Sequence, residues 1–225
     1  MTILEAREVT KDYTVGDRRI RVLDNVSLSV ADGEFLVVQG SSGSGKSTLL
    51  TLLSGLDRPS SGRVFMEGSD ITDRSEDELA PLRNEKIGFV FQSFHLVPSL
   101  TAMENVMFPA ELKKDRHARQ KAGVLLDRVG LWERNENFPH QLSGGEKQRI
   151  AICRALVNDP RIIFADEPTG NLDSLNGKAI LDLLLELRKE RRSTLVLVTH
   201  SMEIAERADR IIVLRDGRIG EAENR

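Results

Sequence analysis

The chain has 225 residues, 40% hydrophobic and 30% charged, with Lys+Arg 32 against Asp+Glu 35 and a formal net charge of −3. That length allows one compact domain that buries roughly three quarters of its unfolded surface, and the charge balance leaves no basic surplus for gripping a duplex, so no nucleic-acid partner is expected. The single cysteine, Cys153, cannot form an internal disulfide, the first residues lack an apolar signal core, and no stretch nears the roughly 20 apolar residues that span a bilayer; the expectation is an intracellular chain whose membrane role, if any, is borrowed from another subunit.

From Ile20 to Val30, apolar residues at Val22, Val26, Leu28 and Val30 follow the period of two of a half-buried strand, and the opening reads as antiparallel sheet. Phe35 to Val38 is a continuous apolar run that stops at Gly40; a Gly/Ser loop and a helical stretch from Lys46 to Ser54 follow. Apolar runs at Ile87–Phe91, Ile162–Ala165 and Leu195–Val198 suit buried parallel strands flanked by helices. Between about Ser99 and Val157 the strand signal fades, and Ala122, Leu125, Leu126 and Val129 keep helical spacing, so residues 99–157 are predicted to form an inserted helical lobe. Ile211 to Leu214, the Asp216-Gly217 turn and Ile219 predict a closing hairpin. The polar tail beyond Gly220 reads as loose.

Gly40, Ser41, Ser42, Gly43, Ser44, Gly45, Lys46 and Ser47 fit G-x-x-x-x-G-K-[ST], placed as the chemistry requires between a buried strand and a helix. The glycines let successive N–H groups curl toward phosphate oxygens, and the helix adds its positive end. Lys46 supplies a point charge for the β- and γ-phosphates, Ser47 a hydroxyl for Mg²⁺, and Thr48 a donor to a nearer phosphate. A flexible linker is the alternative, but linkers seldom join an apolar strand directly to an amphipathic helix.

Asp166 and Glu167 end the apolar run from Ile162, at the carboxyl edge where ligands of open α/β sheets collect. Asp166 suits the orientation of Mg²⁺ through its water shell, and Glu167 the polarisation of a water that attacks the γ-phosphorus. Leu142, Ser143, Gly144 and Gly145 precede another apolar helix. A serine at a helix start, with two glycines that permit close approach, makes a second anion site in the same chain.

In order, the phosphate loop, Gln92, Ser143–Gly145, Asp166 with Glu167, and His200 resemble an ATP-binding-cassette (ABC) nucleotide-binding domain over essentially the whole chain, residues 1–225. The resemblance implies an α/β P-loop NTPase with a RecA-like parallel-sheet core, an N-terminal antiparallel β subdomain and an inserted helical subdomain. It implies an ATPase that uses ATP and Mg²⁺ and forms a head-to-tail homodimer in which Ser143, Gly144 and Gly145 meet the nucleotide of the opposite subunit. By the same likeness Gln92 contacts Mg²⁺ or its water and senses a membrane partner, His200 reaches the γ-phosphate, and Tyr13 stacks on adenine. Asn171 and Asp173 occupy a loop that faces the dimer partner, though Gly170 and Asn171 depart from the frequent Ser-Ala form. Glu167–Asp173, with Phe91–Pro98 and Leu100–Val106, is similar to the lipoprotein-releasing and macrolide-export branch. That likeness implies a peripheral subunit at the cytoplasmic face of the inner membrane, bound to a separate integral membrane permease, with periplasmic or outer-membrane accessory proteins. Phe94 to Val106 is expected to receive the permease, or else to fill the junction between lobes. A cassette ATPase acting on nucleic acid or ribosomes remains the alternative, as does a module that binds ATP without hydrolysing it.

Overall fold

A computed structural model describes residues 1–220, so the tail predicted to be loose lies outside the described residues. In chain order the elements are β1 (Thr2–Val15), β2 (Arg18–Ala31), β3 (Phe35–Gln39), α1 (Lys46–Leu53), β4 (Ser61–Met66), β5 (Ser69–Asp70), α2 (Glu76–Lys86), β6 (Ile87–Phe91), α3 (Ala102–Leu112), α4 (Ala118–Arg128), α5 (Gly144–Leu156), β7 (Ile162–Asp166), α6 (Ser174–Arg191), β8 (Thr194–Thr199), α7 (Met202–Ala205), β9 (Arg210–Arg215) and β10 (Arg218–Gly220). The chain divides into two compact units, Met1–Pro81 with the chain from Thr194, and Leu82–Ser193.

In the first unit, β2, β1, β4 and β5 form an antiparallel sheet in that order. Val26, Leu28 and Val30 are buried as their alternation requires, but Leu23 replaces Val22 in the core. The register shifts between Val9 and Lys11, opposite Val26 and Leu23, and Asn25 takes a left-handed φ of 52°. One irregular residue there sends the following side chains to the other face, which a strict period of two does not foresee. Strand β3 pairs in parallel with both β8 and β9, and β10 closes antiparallel on β9. Phe35, Leu36, Val37 and Val38 are all buried. Each such side chain contributes about 1.5–3 kcal/mol relative to exposure, which explains the unbroken apolar run of a strand covered on both faces. Asp216 and Gly217 both have positive φ, 46° and 76°, the backbone that a two-residue hairpin turn needs.

In the second unit, β6 and β7 pair in parallel with Phe91 opposite Asp166. Three helices, α3, α4 and α5, occupy the stretch in which the strand signal fades, and Ala122, Leu125, Leu126 and Val129 are buried as their spacing predicts. Gly88 allows α5 to lie directly on β6, since a Cβ there would collide with the Ala155 carbonyl oxygen and stand 3.0 Å from its carbon. Thr101 starts α3 with a capping box: its hydroxyl accepts from the Glu104 N–H while the Glu104 carboxylate accepts from the Thr101 N–H. Two orphan N–H groups are thereby satisfied. Buried Asn105 donates to the carbonyls of Val97, Leu100 and Thr101 and accepts from the Val97 N–H, which fixes the preceding loop. Among the described residues no helix is long and apolar enough to cross a membrane.

Candidate nucleotide site

In the first unit the phosphate loop runs from the end of β3 into α1. Gly43 and Gly45 hold φ of 80° and 100°, conformations that disfavour any residue with a Cβ. At Gly45 a Cβ would also sit 2.8 Å from the Val22 carbonyl oxygen and from Leu23 Cδ2, and at Gly40 it would strike Ser44 Oγ at 2.5 Å. The Ser44 N–H donates to Ser41 O at 3.2 Å, and the Gly217 N–H donates to Ser44 O at 3.1 Å, so the β9–β10 hairpin props the loop. Buried Ser44 Oγ has no hydrogen-bond partner among the described residues. Gly45 caps α1 without a side-chain bond, and the first turn of α1 carries no acidic residue. The start of α1 therefore offers unpaired N–H groups and the positive end of its dipole to an anion. Lys46, also buried, donates from Nζ to Ser41 O at 2.8 Å across the loop. Ser47 is exposed and Thr48 half-buried.

Around this loop the same unit gathers two further residues singled out by sequence. Thr199 lies opposite Gln39 in the β3–β8 pair, so His200 and Gly40 leave adjacent parallel strands at one carboxyl edge, and His200 is exposed there. Tyr13 is 38% exposed; its hydroxyl donates to Asp57 Oδ2 at 2.8 Å, and Lys11 Nζ lies 4.8 Å above its ring. Burial, then the Asp57 carboxylate, raise the Tyr13 pKa, so the phenol stays protonated as donor, with Thr48 acting in the opposite direction. Lys11 in turn donates to Asp57 Oδ1 and Arg58 O at 2.8 and 2.7 Å. The aromatic ring is thus held on one face by Lys11 and at its hydroxyl by Asp57, a pair that no sequence motif announced; the charged Lys11 facing inward on an alternating strand was the available signal.

In the second unit, Gln92 and Glu167 leave β6 and β7 side by side, because Phe91 and Asp166 are register partners. Asp166 and Glu167 are half-buried. Glu167 adopts a left-handed φ of 45°, and its carbonyl accepts from the Gly170 N–H at 3.0 Å. Gln92 and Asn171 clasp each other: Gln92 Nε2 donates to Asn171 Oδ1 at 3.2 Å, and Asn171 Nδ2 to Gln92 O at 2.9 Å. Gly170 makes room for this clasp, since a Cβ there would stand 2.6 Å from Gln92 Nε2. Asp173 caps α6, accepting from Asn176 N and Asn176 Nδ2 at 3.0 and 2.6 Å, and the Asn176 side chain and N–H hold its carboxyl below the usual range.

Ser143 caps α5 in a second capping box, with Glu146 accepting from the Ser143 N–H and hydroxyl at 2.8 Å each. The Ser143 N–H is the largest influence holding the Glu146 carboxyl below its ordinary pKa, opposed by partial burial. Gly144 and Gly145 are half-buried, and a Cβ at Gly144 would lie 3.4 Å from Leu172. Within the stretch expected to meet a permease, Met103 and Val106 are buried and Val97 is 39% exposed. Arg154 on α5 donates to the carbonyls of Phe94 and His95 at 2.8 and 2.5 Å, and both residues have positive φ. Much of that stretch is therefore tied to its own lobe.

Residues 23–170 match the family described as ABC transporter. A macrolide export ATP-binding/permease protein MacB from Syntrophobacter fumaroxidans is 47% identical over 221 residues, covering 96% of this chain and 31% of the relative, so the chain spans about a third of that protein. The lipoprotein-releasing system ATP-binding protein LolD of Coxiella burnetii is 44% identical over 220 residues, 96% of this chain and 94% of the relative. The dimeric structure of a post-hydrolysis state of the ATP-binding cassette MJ0796 bound to ADP and Pi superimposes with a TM-score of 0.91 at 42% identity, over 99% of this chain and 98% of that one. The chain belongs to the ABC transporter family. Its α/β fold is that of the cassette ATPases, as the order of its motifs predicts.

Proposed function

We propose that this chain is the ATP-hydrolysing subunit of an ABC transporter, acting as a homodimer around two Mg-ATP and passing the cycle to an integral membrane permease. One observation carries the reading: the uncapped start of α1, with buried Ser44 Oγ and Lys46, is prepared for an anion, while the start of α5 carries its own Glu146 capping box and offers the Ser143 hydroxyl and two glycines as a surface for close approach. One nucleotide needs only the first, so the second serves the nucleotide of another copy.

The residues divide the work by chemistry. N–H groups of Gly43, Gly45 and Lys46, together with Lys46 Nζ, bind the β- and γ-phosphates, with the Ser44 N–H joining them once it leaves Ser41 O, and a charge-assisted bond of this kind contributes about 1.5–3 kcal/mol. Gly40, Ser41 and Ser42 shape the loop, Thr48 donates to a nearer phosphate, and Tyr13 presents a ring to adenine. Ser47, Gln92 and Asp166 are the protein groups that would hold Mg²⁺ or its water, and the ion would neutralise charge on the phosphate oxygens. No cluster of three or more His, Cys, Asp or Glu occurs among the described residues, and an ion carried in by a nucleotide requires none, because phosphates and water supply most of its ligands. Glu167 polarises the attacking water and His200 steadies it against the γ-phosphate. Phosphoryl transfer needs no covalent intermediate, so placement and charge supply the rate. Ser143, Gly144 and Gly145 close on the nucleotide of the opposite subunit, and Asn171 and Asp173 face that subunit.

The likeness to MacB and LolD supports the macrolide-export and lipoprotein-releasing branch. On this reading the subunit works at the cytoplasmic face of the inner membrane, with a permease and extracytoplasmic accessory proteins as the further members. Glu167→Gln keeps the shape and removes the water-polarising charge; turnover should fall about 100-fold or more while an ATP-bound dimer accumulates on size exclusion. Parental turnover in that variant refutes the assignment of the base.

A further inference from the structure

Gln148 is wholly buried on α5, five residues past Ser143 in the same glycine-rich segment, and none of the roles assigned above falls to it. Its Nε2 donates to the Pro168 carbonyl at 2.7 Å, while its Oε1 has no partner among the described residues. Pro168 follows Glu167, whose left-handed backbone is disfavoured for a residue with a Cβ and persists only when its surroundings over-determine it. Two of the bonds that contribute to that restraint are the Gly170 N–H to Glu167 O, and Gln148 to Pro168 O. The first is local to the turn. The second comes from the helix whose first residues are Gly144 and Gly145.

We infer that Gln148 is a positioning residue that fastens α5 to the peptide carrying the Glu167 carboxylate. This rests on the proposed function, in which the start of α5 grips the nucleotide of the opposite subunit while Glu167 serves the chain's own. A shift of α5 as it engages that nucleotide pulls on Pro168 O and sets the angle at which Glu167 faces its water. Each nucleotide site is thereby primed by occupation of the other, through one buried hydrogen bond. A neutral amide is well suited here, because it donates to a carbonyl yet adds no charge beside Glu167.

Gln148→Met and Gln148→Leu retain the bulk and remove the donor, and they also remove the unpartnered Oε1, so the melting temperature should fall by only a few degrees. Misplacing a base by a fraction of an ångström costs on the order of 10–100-fold. In steady-state assays with Mg-ATP, kcat should fall by about that factor, KM should change less than about twofold, and the Hill coefficient should drop toward one. In the Glu167→Gln background the same substitutions should have no further effect, because the group they position is already disabled. Undiminished kcat in both variants, or an equal loss with and without Glu167, overturns the inference. Hydrogen exchange of the parent provides a check that needs no variant. On adding a non-hydrolysable ATP analogue, residues 166–172 should gain protection in step with 143–150, and independent protection of the two segments refutes the coupling. A parent chain without ATPase activity would instead defeat the proposed function itself, whereas activity that depends on Glu167 and ignores Gln148 defeats only the coupling.

Discussion

Replacing Gly88 with alanine would test how closely α5 is seated on β6. The new Cβ would meet the Ala155 carbonyl oxygen, with the Ala155 carbon at 3.0 Å and its Cβ at 3.2 Å. None of these atoms belongs to a flexible side chain, so relief requires the helix to back off by about 1 Å. Neither side yields readily: Gly88 is register partner to Ile163 in the β6–β7 pair, and Ala155 sits among buried Ala151, Ile152 and Leu156. Overpacking of this kind costs about 1–3 kcal/mol, and the backbone nature of the collision puts Gly88→Ala near the upper end. For a chain of this size each kcal/mol moves the transition by roughly 2–4 °C, so a loss of roughly 6–12 °C is expected by circular dichroism or scanning calorimetry. Gly123→Ala provides the contrast. That Cβ would stand 3.2 Å from a ring atom of half-exposed Trp132, which can move, and the helix gains about 0.8–1 kcal/mol of propensity. A Gly88→Ala transition within about 1 °C of the parent would show that the helix rides loosely and that the packing argument is wrong.

Two other perturbations probe the site and its supports. Lys46→Ala removes the ammonium from the loop and should weaken nucleotide binding at least tenfold by titration calorimetry, given about 1.5–3 kcal/mol per charge-assisted bond; unchanged affinity with lost turnover would reassign it to the chemical step alone. The capping box at the start of α5 should respond to acid. The folded Glu146 carboxyl titrates below its unfolded value, so its stabilisation is complete above the unfolded pKa and fades as pH falls through the lowered folded one. Glu146→Gln should flatten that part of the stability–pH curve, and an identical curve would exclude the carboxylate as a contributor.

The buried strands were legible because sheets covered on both faces demand unbroken apolar runs: Phe35–Val38, Ile87–Phe91, Ile162–Ala165 and Leu195–Val198 each fall within an observed strand. The phosphate loop, the acidic pair and Ser143 were legible because chemistry constrains their spacing. Supporting residues escaped because their partners lie far along the chain. Lys11 with Asp57, Gln92 with Asn171, and Gln148 with Pro168 are separated by 46, 79 and 20 residues. A clue did exist for Gln148, which shares the helical face of Ala151, Ile152 and Ala155 at spacings of three, four and seven. A polar residue in an apolar stripe must bond something, but its partner becomes visible only in three dimensions. The bulge at Asn25 left no such trace, since its left-handed backbone follows from pairing with β1.

The hairpin at Asp216–Gly217 has a practical bearing on how the protein is cut. The phosphate loop, the Ser143–Gly145 segment and the acidic pair all lie before residue 171, where the family match stops, and a fragment ending there would keep them while losing Asp173 and His200. Yet the oxygen of Ser44 receives its hydrogen from Gly217, and the Gly217 carbonyl receives one from Asp24. Trimming those last strands would deprive the cradle of its floor while sparing all of its named parts.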